Sequence, residues 1–161
     1  MKHLRKQIAG YLLTLILLMA GIVFPGSGEK VLASGGSMTV HFLDVGQGLS
    51  ILVQSEGQNL LYDGGPRSAS SYVVSYLQEQ NVSEIDYLIS SHYDEDHVSG
   101  LIGCLNAFQV DNVIGADYIH DSSLYGSFMD AVAAHGLEVQ HPAVGAEYTF
   151  CLLYTSDAAD E

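Results

Sequence analysis

The feature that most constrains this chain is the junction "EIDYLISSHYDEDHVSGLIGCLNAF", residues 84–108. The apolar run "EIDYLIS" has strand character, and "HVSGLIGCLNAF" reads as a short helix. Between them, two histidines and three acidic residues fall within six positions, 92–97. A strand, a polar loop and a helix in that order belong to an α/β chain with layered sheet and helices. A loop leaving the end of a strand can aim His92, Asp94, Asp96 and His97 at one point. Imidazole nitrogens and carboxylate oxygens are suitable ligands for Zn²⁺, Mn²⁺ or Fe²⁺. One ion rarely collects all its ligands from six consecutive residues, so two ions are expected to share the four groups. The competing reading is a solvated acidic turn. It would be preferred for a lone histidine, but not for four such groups in this setting.

The flanking sequence supplies the rest of an α/β chain. "MTVHFLDV" and "LSILVQS" read as strands separated by a Gly-Gln-Gly turn, and "QNLLYDGG" as a third strand ending in a turn. Their alternation is only partial, which predicts cover on one face and part of the other. "SASSYVVSYLQEQN" places Tyr72, Val73, Tyr76 and Leu77 on one helical face after a serine-rich start suited to capping. "VDNVIGA" is a further strand. "SLYGSFMDAVAAHG" puts Leu124, Phe128 and Val132 on one face and stops at Gly136. "LEVQHP" and "AEYTF" are expected to close the readable part as strands.

The two ends read differently. Lys2, Arg5 and Lys6 precede an uncharged apolar run from Ile8 to Phe24, and small residues lie near Ala33. That layout predicts a secretory signal peptide over residues 1–33, or an uncleaved membrane anchor, and so a domain on the outside of the membrane or secreted. Residues 34–37 are a glycine- and serine-rich linker, and the membrane is a partner only through the N-terminal segment. "CLLYTSDAADE", read back into codons, resembles the transposon-end adaptor used to build sequencing libraries. Residues 151–161 are therefore expected to be an artefact, leaving 38–150 as a truncated domain. Residues 34–150 hold 15 acidic residues and one basic residue, Arg67, a net of −14. Such a surface repels phosphate backbones unless bound cations or a missing basic segment reverse the field. Cys104 has no partner outside the tail and reads as a small buried residue on a helix.

"SHYDEDHVSG" resembles the H-x-H-x-D-H signature of the metallo-β-lactamase superfamily, in an H-x-D-x-D-H form. "HFLDVGQGLSILVQ" and "NLLYDGG" resemble the first strands of its ComEC-like DNA-uptake branch. The resemblance runs from about Met38 to Phe150. It implies the N-terminal portion of an αββα sandwich, with His92 and Asp94 serving one ion and Asp96 and His97 the other. It also implies that Asp63, at the Asp-Gly-Gly turn, lies beneath the loop and orients a histidine. Asp94 stands where the superfamily's β-lactamases carry histidine, which hardens the site and argues against antibiotic hydrolysis. Leu49 replaces an aspartate usual in the ComEC-like branch. The superfamily's later Thr-Gly-Asp and His-His-Gly-Ser elements do not occur in the sequence.

The resemblance implies a hydrolase using two divalent ions, zinc first and manganese or iron as alternatives, which acidify a water for attack on an acyl or phosphoryl centre. Asp96 is then both a ligand and the residue expected to accept that water's proton. The branch points to a phosphodiester or nucleic-acid substrate, whereas the acidic charge and Leu49 favour a small molecule. A non-catalytic extracellular metal-binding module is the alternative, and an iron oxidoreductase ranks last. Elsewhere, His41 reads as structural or surface, Asp44 as a turn former, and His120, His135 and His141 as exposed.

Overall fold

The structure, a computed structural model, describes residues 37–150. The expected signal or anchor segment, most of the linker and the tail at 151–161 lie outside these residues. Three strands come first, β1 (Met38–Phe42), β2 (Ser50–Ser55) and β3 (Gln58–Gly64), and they pair antiparallel in sequence order. β4 (Glu84–Ser90), β5 (Gln109–Gly115) and β6 (Val139–Gln140) then add in parallel, giving one six-stranded sheet in the order β1 to β6. Parallel neighbours need crossovers of a dozen or more residues, and helices supply them here. They are α1 (Ser70–Glu79), α2 (Glu95–Ala107) and α3 (Ser123–Ala134). Among the described residues no helix is long and apolar enough to cross a membrane.

Register explains the core. Leu52, Leu61, Leu88 and Val113 are successive cross-strand partners on β2 to β5, and all four are fully buried. The helices lay Val73 and Leu77 of α1, Val98, Leu101 and Cys104 of α2, and Phe128 and Val132 of α3 against that row. Because side chains alternate along a strand, Ile51, Tyr62, Ile89 and Ile114 form a matching row on the other face. Ile51, Tyr62 and Ile89 of that row are only partly buried, and Ile114 is buried. Beside it Pro142, Ala146, Tyr148 and Phe150 close a cleft of about 260 Å³ over Leu60 and Tyr87. One helical layer on one sheet, with an apolar second face, is half of an αββα sandwich.

Four expectations need correction. β1 ends at Phe42 rather than Val45. Beyond it Leu43 N–H still donates to Ser50 O at 3.0 Å, but Leu43 and Val45 turn into the core. "AEYTF" is not a strand: it lies over the sheet by its side chains, with the Tyr148 ring 6.3 Å from Tyr87. β6 keeps only two residues of "LEVQHP". In α1 the N-cap is Ala69, after a 3₁₀ turn at Arg67–Ala69, with no serine cap, and Tyr72 is 44% exposed instead of core.

Candidate metal centre

Three short motifs are locked together by backbone contacts that only glycine permits. A Cβ added at Gly100 of α2 would lie 1.7 Å from Gly64 O, and one at Gly48 would lie 2.1 Å from Asp96 O. In their absence Gly100 N–H donates to Gly65 O at 3.0 Å, and Gly65 N–H to Leu49 O at 2.8 Å. The Gly-Gln-Gly turn, the Asp-Gly-Gly turn and the first turns of α2 are thereby pinned to one another. Asp63 is carried directly under the loop after β4.

Asp63 is fully buried and has φ +57°, a left-handed conformation that aspartate tolerates better than most residues. Three donors satisfy its carboxylate. Ser91 N–H reaches Oδ1 at 2.8 Å, Ser91 O–H reaches Oδ2 at 2.6 Å, and His97 Nδ1 lies 2.8 Å from Oδ2. A buried carboxylate so placed requires the proton on His97 Nδ1, which leaves Nε2 as a bare lone pair. Ser91 has committed its hydrogen to Asp63, so it can only accept from His92 Nδ1, 2.8 Å away. The Nε2 of His92 is therefore bare as well. One carboxylate fixes both imidazoles in the form that binds metals.

The two rings lie 3.9 Å apart between centroids. His92, Asp96 and His97 offer donor atoms that all fall within 4.8 Å of one another, and His97 Nε2 is 3.9 Å from Asp96 Oδ2. Two imidazole nitrogens and a carboxylate are a fitting donor set for a borderline divalent ion. Asp94 is placed differently. It is the N-cap of α2, and its carbonyl accepts His97 N–H at 3.1 Å and Val98 N–H at 3.0 Å. Its side chain, 60% exposed, turns outward, with Oδ2 3.5 Å from His92 Nε2 and Oδ1 3.4 Å from His120 Nε2. Asp94 thus flanks the three-donor group. Glu95 is occupied elsewhere, accepting Arg67 N–H at 2.9 Å. Carboxylates at positions 94 to 96 also suit the start of a helix, whose dipole favours negative charge there.

A cavity of about 480 Å³ opens beside the cluster, bounded by Gln47, Tyr93, Asp94, Asp96, His120 and Ser122 among others. Tyr93 forms its floor. Its hydroxyl donates to Ala116 O at 2.7 Å, its ring packs 4.8 Å from Tyr125, and burial pushes its phenol up to about 12. It stays neutral and structural.

His120 does not match its reading as exposed, since it stands in the cavity wall with Nδ1 2.8 Å from Ser122 Oγ. His135 is likewise half-buried, its Nε2 bonded to Leu105 O. His141 is exposed, and His41 pairs with Tyr76 OH at 3.0 Å in a structural role. Asp44 accepts Gly46 N–H at 3.2 Å, as a turn former does. Ser91 and His120 were not legible as site residues by residue type. A topological signal existed for His120: Ser90 pairs with Gly115 on adjacent parallel strands, so the loops that follow both strands open on the same side.

Fold and site together define an α/β protein with a candidate metal centre of two histidines and a carboxylate. A model of the metallo-beta-lactamase superfamily matches residues 43–147, and the chain belongs to that superfamily, which is generally hydrolytic and usually binds divalent metals. It is 38% identical over 86 residues to the competence protein ComA of Neisseria gonorrhoeae, a match covering 53% of this chain and 12% of that protein. It is 38% identical over 74 residues to recombination protein 2 of Haemophilus influenzae, covering 43% of this chain and 9% of that one. The chain thus corresponds to a small part of both relatives. Among solved structures, a variant metallo-β-lactamase from Cronobacter sakazakii aligns with a TM-score of 0.44 at 19% identity, over 48% of this chain and 31% of that one.

Proposed function

We propose that this domain is a metal-dependent hydrolase acting outside the cytoplasm, with two divalent ions at the loop after β4. The observation that carries the reading is the state of the two histidines. Asp63 and Ser91 hold both Nδ1 protons, which leaves His97 Nε2 bare toward Asp96 and His92 Nε2 bare toward Asp94. His97 and Asp96 would serve one ion, and His92 and Asp94 the other. When bound, such ions acidify a water and stabilise negative charge developing on the substrate. The chain's own part is to fix the imidazoles and to offer Asp96, half-buried at the cavity, as the acceptor of a proton.

The cavity wall bears Asp94, Glu95 and Asp96. An anionic substrate would be repelled unless cations offset them. A phosphodiester is the substrate class we favour, on the family branch alone, with the two ions offsetting the acidic wall. The test is metal analysis of the protein and of its His97→Ala variant, with hydrolysis of bis(p-nitrophenyl) phosphate followed before and after chelation. Two ions in the protein, at most one in the variant, and turnover abolished by chelator are expected. Unchanged metal content in His97→Ala would refute the ligand assignment. Bound metal without turnover on ester or phosphodiester probes would favour a binding module instead.

A further inference from the structure

We propose that His120 is a positioning residue for Asp94, holding its carboxylate in the orientation that presents Oδ2 toward His92. The inference rests on the two-ion reading above and adds to it a residue from a different crossover. An exposed aspartate at a helix N-cap ordinarily turns back to accept a backbone N–H of the first turn. Asp94 has the extended backbone usual at an N-cap but makes no such bond; its carboxylate lies between two imidazoles. The two contacts have similar lengths but opposite chemistry.

On the inner side, His92 has its proton on Nδ1, bonded to Ser91, so a bare Nε2 faces Asp94 Oδ2 at 3.5 Å. Two lone-pair-bearing atoms at that separation repel unless a cation lies between them. The outer side is the reverse. Ser122 is the N-cap of α3, and its hydroxyl oxygen accepts Tyr125 N–H at 3.1 Å. Its hydrogen is free to donate to His120 Nδ1 at 2.8 Å, and the tautomer that accepts it carries the ring proton on Nε2, 3.4 Å from Asp94 Oδ1. The start of α3 therefore turns an N–H toward the outer oxygen of Asp94 at 3.4 Å, and the inner oxygen faces His92 Nε2 at 3.5 Å. Donors placed on the outer side of a ligating carboxylate orient it. They matter most for a short, exposed side chain with an alternative partner in its own helix.

The experiment titrates metal-free protein with Zn²⁺ in competition with a chromophoric chelator, for the protein and its His120→Ala, His120→Gln and Asp94→Ala variants. Melting curves check that each variant is folded. His120→Ala is expected to bind one of the two ions roughly 10–100-fold more weakly. His120→Gln, whose amide N–H can take the place of Nε2–H, should recover most of that loss. In the Asp94→Ala background His120→Ala should add nothing, since the group it positions is gone. Zn²⁺ affinities unchanged in His120→Ala would overturn the proposal while leaving the two-ion reading intact. An undiminished effect of His120→Ala in the Asp94→Ala background would overturn it too, by making His120 a ligand in its own right. Failure of the unsubstituted protein to bind any ion would sink both readings together.

Discussion

Replacing Asp63 with asparagine separates the folding of this site from its readiness for metal. Asparagine tolerates φ +57° as aspartate does, so the backbone is not penalised. The side chain keeps one acceptor oxygen and gains an NH₂. With the oxygen toward Ser91 N–H, the NH₂ takes the place of Oδ2 and confronts two donors, Ser91 O–H and His97 Nδ1–H. Relief requires the hydroxyl to turn and His97 to move its proton to Nε2. Three charge-assisted hydrogen bonds, at about 1.5–3 kcal/mol each, become neutral ones at about 0.5–1.5 kcal/mol, a loss of roughly 4 kcal/mol. In a domain of about a hundred residues that lowers Tm by roughly 15 °C. The tautomer change acts separately: His97 now presents N–H where a ligand lone pair is needed, so metal affinity should fall about 10–100-fold. Thermal melts in chelator read the first effect, and Zn²⁺ competition at a temperature where the variant is folded reads the second. Asp63→Asn with metal affinity within twofold of the parent would refute the tautomer argument.

Two further outcomes follow from packing and burial. Gly100→Ala drives a Cβ into Gly64 O and should cost at least about 3 kcal/mol, whereas Gly126→Ala, on an exposed turn of α3 with nothing within 4 Å, should stabilise by about 0.5–1 kcal/mol. Urea melts of the pair check the motif-locking argument, and equal effects would contradict it. Burial pushes the Cys104 thiol up from an ordinary value of 9.0 to about 12. Peptide mapping after maleimide treatment of native protein at pH 8 should find Cys104 unmodified. The folded thiol stays protonated where the unfolded one ionises, so its contribution is intact below pH 9 and is lost as pH rises toward 12. Cys104→Ala should flatten that alkaline decline, and an unchanged slope would remove the thiol as its cause.

What could be read from the sequence, and what could not, divides along the range of the interactions involved. Periodicity is local, and it placed the strands from "LSILVQS" to "VDNVIGA" and all three helices. It failed at "AEYTF", whose alternation suits a strand but which has no ladder partner in the described residues. The loop of His92 to His97 was conspicuous because its residue types are crowded into one turn of chain. Asp63 was reached only through family resemblance, because its partners Ser91 and His97 lie 28 and 34 residues away. Ser91 and His120 carry no signal in their own neighbourhoods. Their roles arise from the parallel pairing of β4 with β5, which sets the loop after Gly115 beside the loop after Ser90. On the proposal above, the same pairing also supplies a partner for the aspartate at position 94. A histidine there would bring its own ring and needs support only behind Nδ1, but an exposed carboxylate needs a donor on its outer oxygen. The neighbouring crossover is the element placed to supply one.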